Sequence, residues 1–365
     1  MLLIGWGPTM TDTERVIAEK SDEAKSVAKE PGGAAKGSRP ISRGLTTEIF
    51  KIREIGVLIA LIFLFFGFSM ASRYFFGVEN LLNVLRQVSL LGIISMGMTM
   101  VIVSGEIDLS VGAVYGFAST IAGILMTSGF PIWTSLIVAL IGGAVFGSLN
   151  GMLVTYGRIP ALIVTLGTMN IARGAALIIS KAQVIGISYR TVKDPNLNRF
   201  LFLGQGKLFG LIPMMCVFLI VIALISYVLF SRTMTGFHMR AVGGNVVAAR
   251  ASGINVKLIK LVAFSIIGFL CALAGILNLS FLANVQGTIG YGLELDVIAA
   301  VIIGGTSMSG GEGTILGTII GVLIMGVLRN GLILIGVSPF WQILVVGVVI
   351  IGAVGIDMWT KKQTA

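Results

Sequence analysis

Residues 104–112 read Ser104-Gly105-Glu106-Ile107-Asp108-Leu109-Ser110-Val111-Gly112 and place two carboxylates between two apolar runs. The run before them is LLGIISMGMTMVIV and the run after them is AVYGFASTIAGILM, each long enough to lie in a bilayer. A charged side chain at membrane depth costs at least about 2.5 kcal/mol. Glu106 and Asp108 are therefore expected to line a cavity, cap a helix or reach the membrane interface. The stretch predicts a membrane helix that is broken at this point.

A second broken apolar segment lies far downstream, at residues 301–313, which read VIIGGTSMSGGEG. Its first five letters, VIIGG, closely match the VIVSG of residues 101–105, and a single carboxylate, Glu312, again precedes an apolar run. Two interrupted hydrophobic segments in separate halves of a chain are typical of a transporter whose passage lies where the halves meet. The pattern predicts two pseudo-repeated halves and leaves open whether they are parallel or inverted copies.

The composition excludes a soluble domain. Apolar residues make up 56% of the chain, charged residues 12%, and the mean hydropathy is +0.99, which together are typical of a polytopic membrane protein. The net charge of +10 is interpreted as a topology signal rather than a nucleic-acid site, because nine of the 26 Lys and Arg residues precede the first apolar run. Cys216 and Cys271 each stand alone in an apolar run, and we interpret them as small buried hydrophobes rather than a disulfide or metal pair.

The hydropathy pattern predicts an all-α protein with about ten transmembrane segments, some of them broken or re-entrant. Each segment is near the ~20 residues that a helix needs to cross a bilayer, or is shorter where it is broken. The predicted segments are Glu54–Ser72, Val84–Ser104, Ser110–Thr127, Ile132–Thr155, Ala161–Ser180, Leu211–Phe230, Leu258–Leu282, Leu293–Ile303, Thr314–Asn330 and Pro339–Met358.

The predicted domain organisation follows from these segments. Residues 1–52 are polar and are expected to form a disordered cytoplasmic tail. Residues 53–358 form the transmembrane domain, and residues 359–365 form a short cytoplasmic C-terminal tail. With both termini inside, seventeen of the 26 basic residues lie on the cytoplasmic side and eight on the other, as the positive-inside rule requires. The basic connection Lys181–Lys207 runs counter to this distribution and offers a landing surface for an external partner.

A cytoplasmic loop at residues 232–257 carries its own helix signals. Asn245 is a good N-cap, the letters VVAARAS that follow are compatible with helix, and Gly253 is a good C′ residue, so a two-turn helix is expected. Its Ala248-Ala249 surface is nearly flat. A short helix with a small-residue face, held out from a membrane protein, is suited to insertion into a groove of another protein. The alternative is an ordinary surface loop.

Three motifs in the expected order, GEIDLSVG, AVGGNVVAARASGI and IGGTSMSGGEGTILGTIIG, carry a resemblance to a known family. Over about Glu54–Met358 the chain resembles the membrane permease subunit of ribose/xylose-type ABC sugar importers. In that family the residue after Gly105 is often a second glycine, and this chain has Glu106 instead. The loop Arg240–Ile254 of this chain resembles the family's coupling helix, which docks on the ATPase. The docking residues that this implies are Arg240, Gly243, Gly244, Asn245, Ala248, Ala249, Ser252 and Gly253.

The resemblance also implies a set of partners. They are two cytoplasmic ATP-binding subunits or one double-length ATPase, a second permease copy or paralogue, a periplasmic sugar-binding protein and a small-molecule sugar, all at the bacterial inner membrane. The chain itself has no G-x-x-x-x-G-K-[ST] phosphate loop, so ATP is expected to be bound by a partner subunit and no cofactor is predicted for this chain.

Several polar residues are candidates for the substrate route, by hypothesis. Asp108 lies just before the next helix and either caps that helix or lines the route, and the two roles are compatible. Glu106 is either an interfacial charge or a route residue, and Glu312 matches the dipole of the helix that follows it. The candidate route residues are Glu106, Asp108, Ser110, Asn150, Thr165, Thr168, Asn170, Gln286, Thr306 and Ser307. Interhelical hydrogen bonding is the alternative use of the uncharged ones.

Four further residues are candidates for a role in binding or in structure. Glu294 and Asp296 open the eighth segment from the outer side, where they either hydrogen-bond sugar hydroxyls, meet the binding protein or start the helix. Arg173 is costly in lipid and is expected to face the bundle interior or pair with a carboxylate. His238 is the only histidine, and with no second ligand nearby we do not interpret it as a metal site.

These features predict a transport subunit, not an enzyme, that moves a monosaccharide (a pentose, a hexose or a related polyol) by alternating access. A neutral sugar needs no counter-charge, which fits a route almost free of Lys and Arg. The same architecture carrying a branched-chain amino acid, a nucleoside or an autoinducer is the alternative. A proton-coupled secondary transporter with Asp108 and Glu106 as the relay, and an intramembrane enzyme, are weaker alternatives.

Overall fold

The computed structural model describes residues 43–364. Most of the predicted N-terminal tail therefore lies outside the described residues, as does residue 365. The first helix begins at Arg43, inside the range 1–52, and the last helix ends at Thr364, inside the range 359–365. The described part of each predicted tail is therefore helical. Their disorder and their location stay predictions.

Most of the described residues lie in helices. The helices are α1 Arg43–Ala71, α2 Val78–Val103, α3 Val111–Thr127, α4 Ile132–Thr155, α5 Ala161–Ser180, α6 Leu197–Gln205, α7 Met214–Arg232, α8 Met234–Gly244, α9 Val246–Ala251, α10 Val256–Leu282, α11 Leu293–Ile303, α12 Ile315–Leu334 and α13 Pro339–Thr364. Four two-residue strands are β1 Ile185–Gly186, β2 Lys207–Leu208, β3 Ile212–Pro213 and β4 Asn284–Val285. The strands pair antiparallel as β1 with β4 and β2 with β3.

The prediction of an all-α polytopic membrane protein is confirmed. Each predicted segment corresponds to a helix, and the bounds of α4, α5 and α11 agree with the predicted ones. Within the described residues, six helices (α2, α4, α5, α7, α10 and α12) are long and apolar enough to cross a membrane, and three shorter apolar stretches lie at Ile55–Ala71, Val111–Thr127 and Phe340–Gly352. The sequence interpretation missed α6 and α8, which lie outside the long apolar runs.

Helix α2 forms the centre of the bundle. Its side chains are buried almost continuously from Val88 to Val103, and it packs against α7, α10, α11 and α12. Helices α4, α5 and α7 instead expose apolar side chains along their length, as helices that face lipid do. The two predicted lone thiols, Cys216 and Cys271, are both buried and free.

The two broken segments end their first helices in the same way. Helix α2 ends in a Schellman motif, with Gly105 at φ +83 and a 3.1 Å bond from Glu106 N–H to the Val101 carbonyl. Helix α11 ends with Gly305 at φ +90 and a 3.2 Å bond from Thr306 N–H to the Val301 carbonyl. The matching letters VIVSG and VIIGG therefore encode one local structure, in which a glycine adopts the left-handed conformation that stops the helix.

Candidate functional site

The two helix breaks lie side by side in the folded chain. Break 1 is defined here as residues 104–110 and break 2 as residues 304–314. Gly311 N–H, in break 2, donates a 2.9 Å hydrogen bond to the carbonyl of Val103, the last residue of α2. Both breaks lie toward the end of the bundle that carries α8 and α9, so the two helix–break–helix segments run in the same direction.

The last turn of α8 touches both breaks at one residue, Gly243. A Cβ atom at Gly243 would lie 1.8 Å from the Val103 carbonyl oxygen and 2.6 Å from Gly311 N. On the other side, a Cβ at Gly310 would lie 2.9 Å from the Gly243 carbonyl oxygen and 3.1 Å from the Cα of Gly105. Three stretches of backbone therefore pack directly on one another, without intervening side chains.

An ion pair connects α10, the helix that follows α9, to break 1. The ammonium group of Lys260, in the second turn of α10, lies 2.5 Å from a carboxylate oxygen of Glu106. The two side chains are 15% and 18% exposed, respectively. Glu106 is thus a structural partner of the helix that follows α9, and it lines a cavity at this end of the bundle.

Three of the candidate route residues come together beside break 1. Asp108 is 2% exposed, and its Oδ1 accepts hydrogen bonds from the backbone N–H of Ser110 at 2.8 Å and from the Ser110 hydroxyl at 2.6 Å. The amide of Asn150, on α4, donates to the Ser110 hydroxyl oxygen at 2.9 Å. Asp108 therefore holds the N-cap residue of α3, and Asn150 ties that helix start to α4.

The other candidate route residues make local contacts. Thr165 and Thr168 are buried and donate to the carbonyls of Ala161 and Val164 in their own helix, while Asn170 is exposed and donates to Leu166. Gln286 is exposed. In break 2, Thr306 and Ser307 are buried, and the Ser307 hydroxyl accepts a bond from Ser309 N–H. None of the hydrogen bonds described within residues 55–364 joins these residues to Asp108, so their place on a route stays a prediction.

Helix α9 has the predicted caps. The Asn245 side chain accepts a 2.9 Å bond from Ala248 N–H, and Gly253 follows the helix at φ +81. The two alanines do not form one exposed flat surface, however. Ala248 is exposed, whereas Ala249 is 4% exposed and packs inward. Of the other predicted docking residues, Gly243 faces the breaks, while Gly244 and Ser252 are exposed. The guanidinium of Arg240 lies over the Phe230 ring at 4.9 Å, not free toward a partner.

An apolar surface on the same loop was missed from the sequence. Met234, Phe237 and Val247 all expose most of their side chains, and Val247 is 79% exposed. Exposed apolar side chains that form a contiguous patch are typical of a protein–protein contact. These side chains could have been predicted to be exposed only if α8 had been predicted as a helix. The helical spacing would then have shown which residues face outward.

A cavity of about 400 Å³, called here the amide-lined cavity, lies at the opposite end of the bundle and has both polar and apolar lining residues. Its polar lining comes from α2, α10 and α12 and consists of Asn80, Asn83, Arg86, Gln87, Asn278 and Asn330. Asn80 and Asn330 exchange reciprocal amide hydrogen bonds of 3.0 and 2.8 Å. The Asn278 Nδ2 group is buried and has no partner among the described residues. Amides both donate and accept and the Arg86 guanidinium donates, so the polar part of the lining can bind hydroxyl groups.

Ionisable side chains inside the bundle are satisfied in two different ways. Arg173 was expected to face the bundle interior or to pair with a carboxylate. It is partly buried and donates to the backbone carbonyls of Thr288 and Ile289, both at 2.9 Å. Arg329 pairs with Asp296 at 2.6 Å, so one of the two carboxylates proposed for sugar hydroxyls is bound to a cation of α12. The Glu294 Oε2 atom is buried without a hydrogen-bond partner among the described residues.

Comparison with known proteins identifies the family. Residues 80–354 match the family described as branched-chain amino acid transport system / permease component. The chain belongs to this family of permease components. The ribose import permease of Haemophilus influenzae is 40% identical to the permease over 306 residues, covering 83% of this chain and 93% of the relative. The ribose import permease of Bacillus subtilis is 41% identical over 317 residues (86% and 94%).

A further relative is the xylose transport system permease of Haemophilus influenzae, which is 33% identical and covers 86% of this chain and all of the relative. No solved structure matches the permease. The predicted resemblance to ribose/xylose-type permeases is therefore confirmed, and so are a transport subunit rather than an enzyme and a multi-pass membrane protein.

Proposed function

We propose that this permease is the membrane-spanning subunit of an ATP-binding cassette importer that moves a monosaccharide across the bacterial inner membrane by alternating access. The cargo is a pentose, a hexose or a related polyol. The identity of 40% to a ribose import permease supports this class of cargo. In the amide-lined cavity, at the end opposite α8 and α9, the amides supply donors and acceptors and Arg86 supplies further donors, which supports a hydroxyl-bearing solute.

The observation that carries the mechanism is the contact of Gly243 with both helix breaks. Because Gly243 packs on the Val103 carbonyl and on Gly311 without an intervening side chain, a push on α8 and α9 reaches both breaks together. Packed elements respond to such a push by changing between discrete arrangements rather than by bending continuously. ATP-driven closure of the partner subunits would thereby switch which side of the permease is open.

The partners proposed for this cycle are two ATP-binding subunits or one double-length ATPase, a second permease copy or paralogue, and a periplasmic sugar-binding protein. Met234, Phe237 and Val247 supply the apolar docking surface for the ATPase, and Ala248 lies beside them. In this proposal, α8, α9 and both termini lie in the cytoplasm. It agrees with the excess of Lys and Arg on that side of the chain.

Uptake by intact cells tests the cargo. The gene is deleted in its own bacterium, and initial uptake of radiolabelled ribose, xylose, glucose and leucine is measured with and without the gene restored on a plasmid. Loss of one or more sugars, with leucine unchanged, is the expected result. Loss of leucine uptake alone would support the branched-chain amino acid cargo named in the family description and contradict the sugar proposal.

The energy source is tested in the same cells. Import driven by ATP survives an uncoupler when cellular ATP is maintained, and it is lost when ATP is depleted. A proton-coupled carrier gives the opposite pattern. The structure favours the first outcome, because the two candidate relay carboxylates are engaged in structural contacts, Glu106 with Lys260 and Asp108 with Ser110.

A further inference from the structure

A strongly basic cavity of about 670 Å³ lies at the α8–α9 end of the bundle, away from the amide-lined cavity. Four cationic side chains line it, Arg158, Arg250, Lys257 and Lys260, together with one carboxylate, Glu106. Glu106 is already paired with Lys260. Within the described part of the chain, no carboxylate pairs with the other three cations. The cavity therefore holds an uncompensated positive charge that the transport cycle proposed above does not use.

The cavity sits where membrane-spanning helices end. It is lined by Thr155, the last residue of α4, and by Val256, the first residue of α10. Exposed apolar side chains of Met152, Leu153 and Leu258 lie within a turn of these helix ends. Such side chains face acyl chains when a helix spans a bilayer. The cations therefore lie at the boundary between the hydrocarbon region and the water phase.

An aromatic residue supports this depth. Tyr156, directly after α4, has an exposed side chain, and the Lys257 ammonium lies 4.8 Å from the centroid of its ring. Tyrosine is enriched at the level of the lipid head groups, because its ring is apolar and its hydroxyl is polar. The contact also holds Lys257 at the cavity wall instead of leaving it free in solvent.

From this charge and depth, we propose that the cavity binds the phosphate group of an anionic phospholipid. Basic pockets between membrane helices on the cytoplasmic side are suited to anionic head groups, and each Lys or Arg near the membrane surface strengthens that attraction. Arg158 lies in the connection between α4 and α5, Arg250 on α9 and Lys257 on α10. A bound phosphate would join these three elements and steady α9 against the bundle beside the Glu106–Lys260 pair. The assignment to the cytoplasmic leaflet rests on the orientation in the proposed function.

Lipid binding is measured on the full-length permease purified in detergent, independently of any sugar. Native mass spectrometry gives Kd values in titrations with dioleoyl phosphatidylglycerol and with dioleoyl phosphatidylcholine. We expect tighter binding of phosphatidylglycerol. The double variant Arg158→Gln/Lys257→Gln should weaken that binding about 30-fold, since it removes two cations from the site. The control Arg190→Gln/Lys193→Gln removes two exposed cations at the opposite end of the bundle and should bind like the wild type.

Four results would overturn the proposal. The first is equal Kd values for the two lipids, and the second is an unchanged Kd in the cavity variant. The third is binding of inorganic phosphate as tight as that of phosphatidylglycerol, which would indicate a site for a free anion. The fourth is a cavity variant that loses affinity for the partner ATPase in phosphatidylcholine nanodiscs but keeps its affinity for phosphatidylglycerol, which would assign the cations to an acidic surface of the ATPase. Because no arm measures transport, a failure here is distinguishable from a failure of the sugar proposal.

Discussion

Gly243 packs so closely on Val103 that a Cβ atom at position 243 would lie 1.8 Å from the Val103 carbonyl oxygen. That carbonyl belongs to the last residue of α2 and also accepts the hydrogen bond from Gly311 N–H of break 2. The Val103 carbonyl oxygen of α2 therefore contacts both break 2 and the end of α8. The two adjacent glycines of the loop are not equivalent, because a Cβ at Gly244 would meet only the Cα of Gly311, at 4.0 Å.

The first prediction concerns this difference. Gly243→Ala should lower the free energy of unfolding by about 1–3 kcal/mol, the usual cost of overpacking, and should abolish uptake. Gly244→Ala is the matched control and should retain wild-type stability and uptake, since its new methyl group meets only ordinary contacts. Thermal unfolding of the purified variants and uptake by cells measure the two effects. Equal behaviour of the two variants would contradict the close contact at Gly243.

The second prediction concerns the ion pair between Lys260 and Glu106. Glu106→Gln leaves a largely buried ammonium group without its counter-charge and should cost about 1.5–3 kcal/mol of stability, the range for hydrogen bonds to charged groups. The double variant Glu106→Gln/Lys260→Gln should lose less stability than the two single variants lose in total, because the two groups interact. Thermal unfolding of the four proteins of the cycle measures the coupling. Strict additivity would mean that the pair does not hold α10 to break 1.

The third prediction separates the two roles of Asp108. Asp108→Asn keeps a side-chain oxygen that accepts from the Ser110 N–H and hydroxyl, so stability and uptake should stay near wild type. Asp108→Ala leaves both buried donors unpaired and should cost about 1–3 kcal/mol. A stable Asp108→Asn protein without uptake would show instead that the negative charge itself takes part in transport. The comparison needs unfolding and uptake measured on the same preparations.

The fourth prediction concerns the apolar docking surface. Val247→Asp places a charge on a side chain that is 79% exposed, so folding should change by no more than about 0.5 kcal/mol. The affinity for the ATPase should fall by about tenfold or more, as it does when an apolar anchor of an interface is lost. Val184→Asp, at an exposed position outside this loop, is the control. Wild-type co-purification of the ATPase with Val247→Asp would remove Val247 from the interface.

The fifth prediction is a pH dependence at Asp194, in the connection between α5 and α6. Its carboxylate accepts backbone hydrogen bonds from Asn196 N–H at 2.8 Å and Ile132 N–H at 2.9 Å. These bonds lower the pKa of Asp194 below its ordinary value of 3.8. A lowered pKa contributes stability that is fully present above the unfolded pKa and is lost as the pH falls through the folded value.

Acidification should therefore weaken the connection at Asp194, starting below about pH 4. Asp194→Asn, which carries no titrating group, should be less stable than the wild type at pH 6, and the difference should shrink toward pH 3. Thermal unfolding at several pH values measures both profiles. Parallel profiles across this range would mean that the two backbone bonds do not favour the ionised form.

The sequence predicted the membrane helices because each one corresponds to a continuous apolar stretch of sequence. About twenty consecutive apolar residues are enough to predict a helix that crosses a bilayer. The bounds of α4 and α5 could therefore be predicted without knowing which helices pack beside them. The caps of α9 are local for the same reason, since Asn245 bonds to a residue three positions away. Helices α6 and α8 were missed because short helices outside the membrane segments lack that signal.

The candidate site was predictable only in part. The breaks were predicted because a carboxylate or a run of glycines that interrupts an apolar segment can be recognised from the sequence alone. The amide-lined cavity was not found, because Asn80, Asn278 and Asn330 are separated by long stretches of chain and meet only when α2, α10 and α12 pack together. The partners of Arg173 were missed because backbone carbonyls leave no mark in the sequence.

By itself, the sequence determined that this protein is an all-α membrane permease with two similar helix breaks and a capped helix between them. These properties depend on hydropathy and on hydrogen bonds within a few residues. Only the tertiary structure decided that Gly243 touches both breaks, that Glu106 belongs to Lys260, and that Ala248 rather than Ala249 faces outward. The physical reason is that such contacts depend on how helices approach one another in space, and the spacing of letters along one helix does not fix that approach.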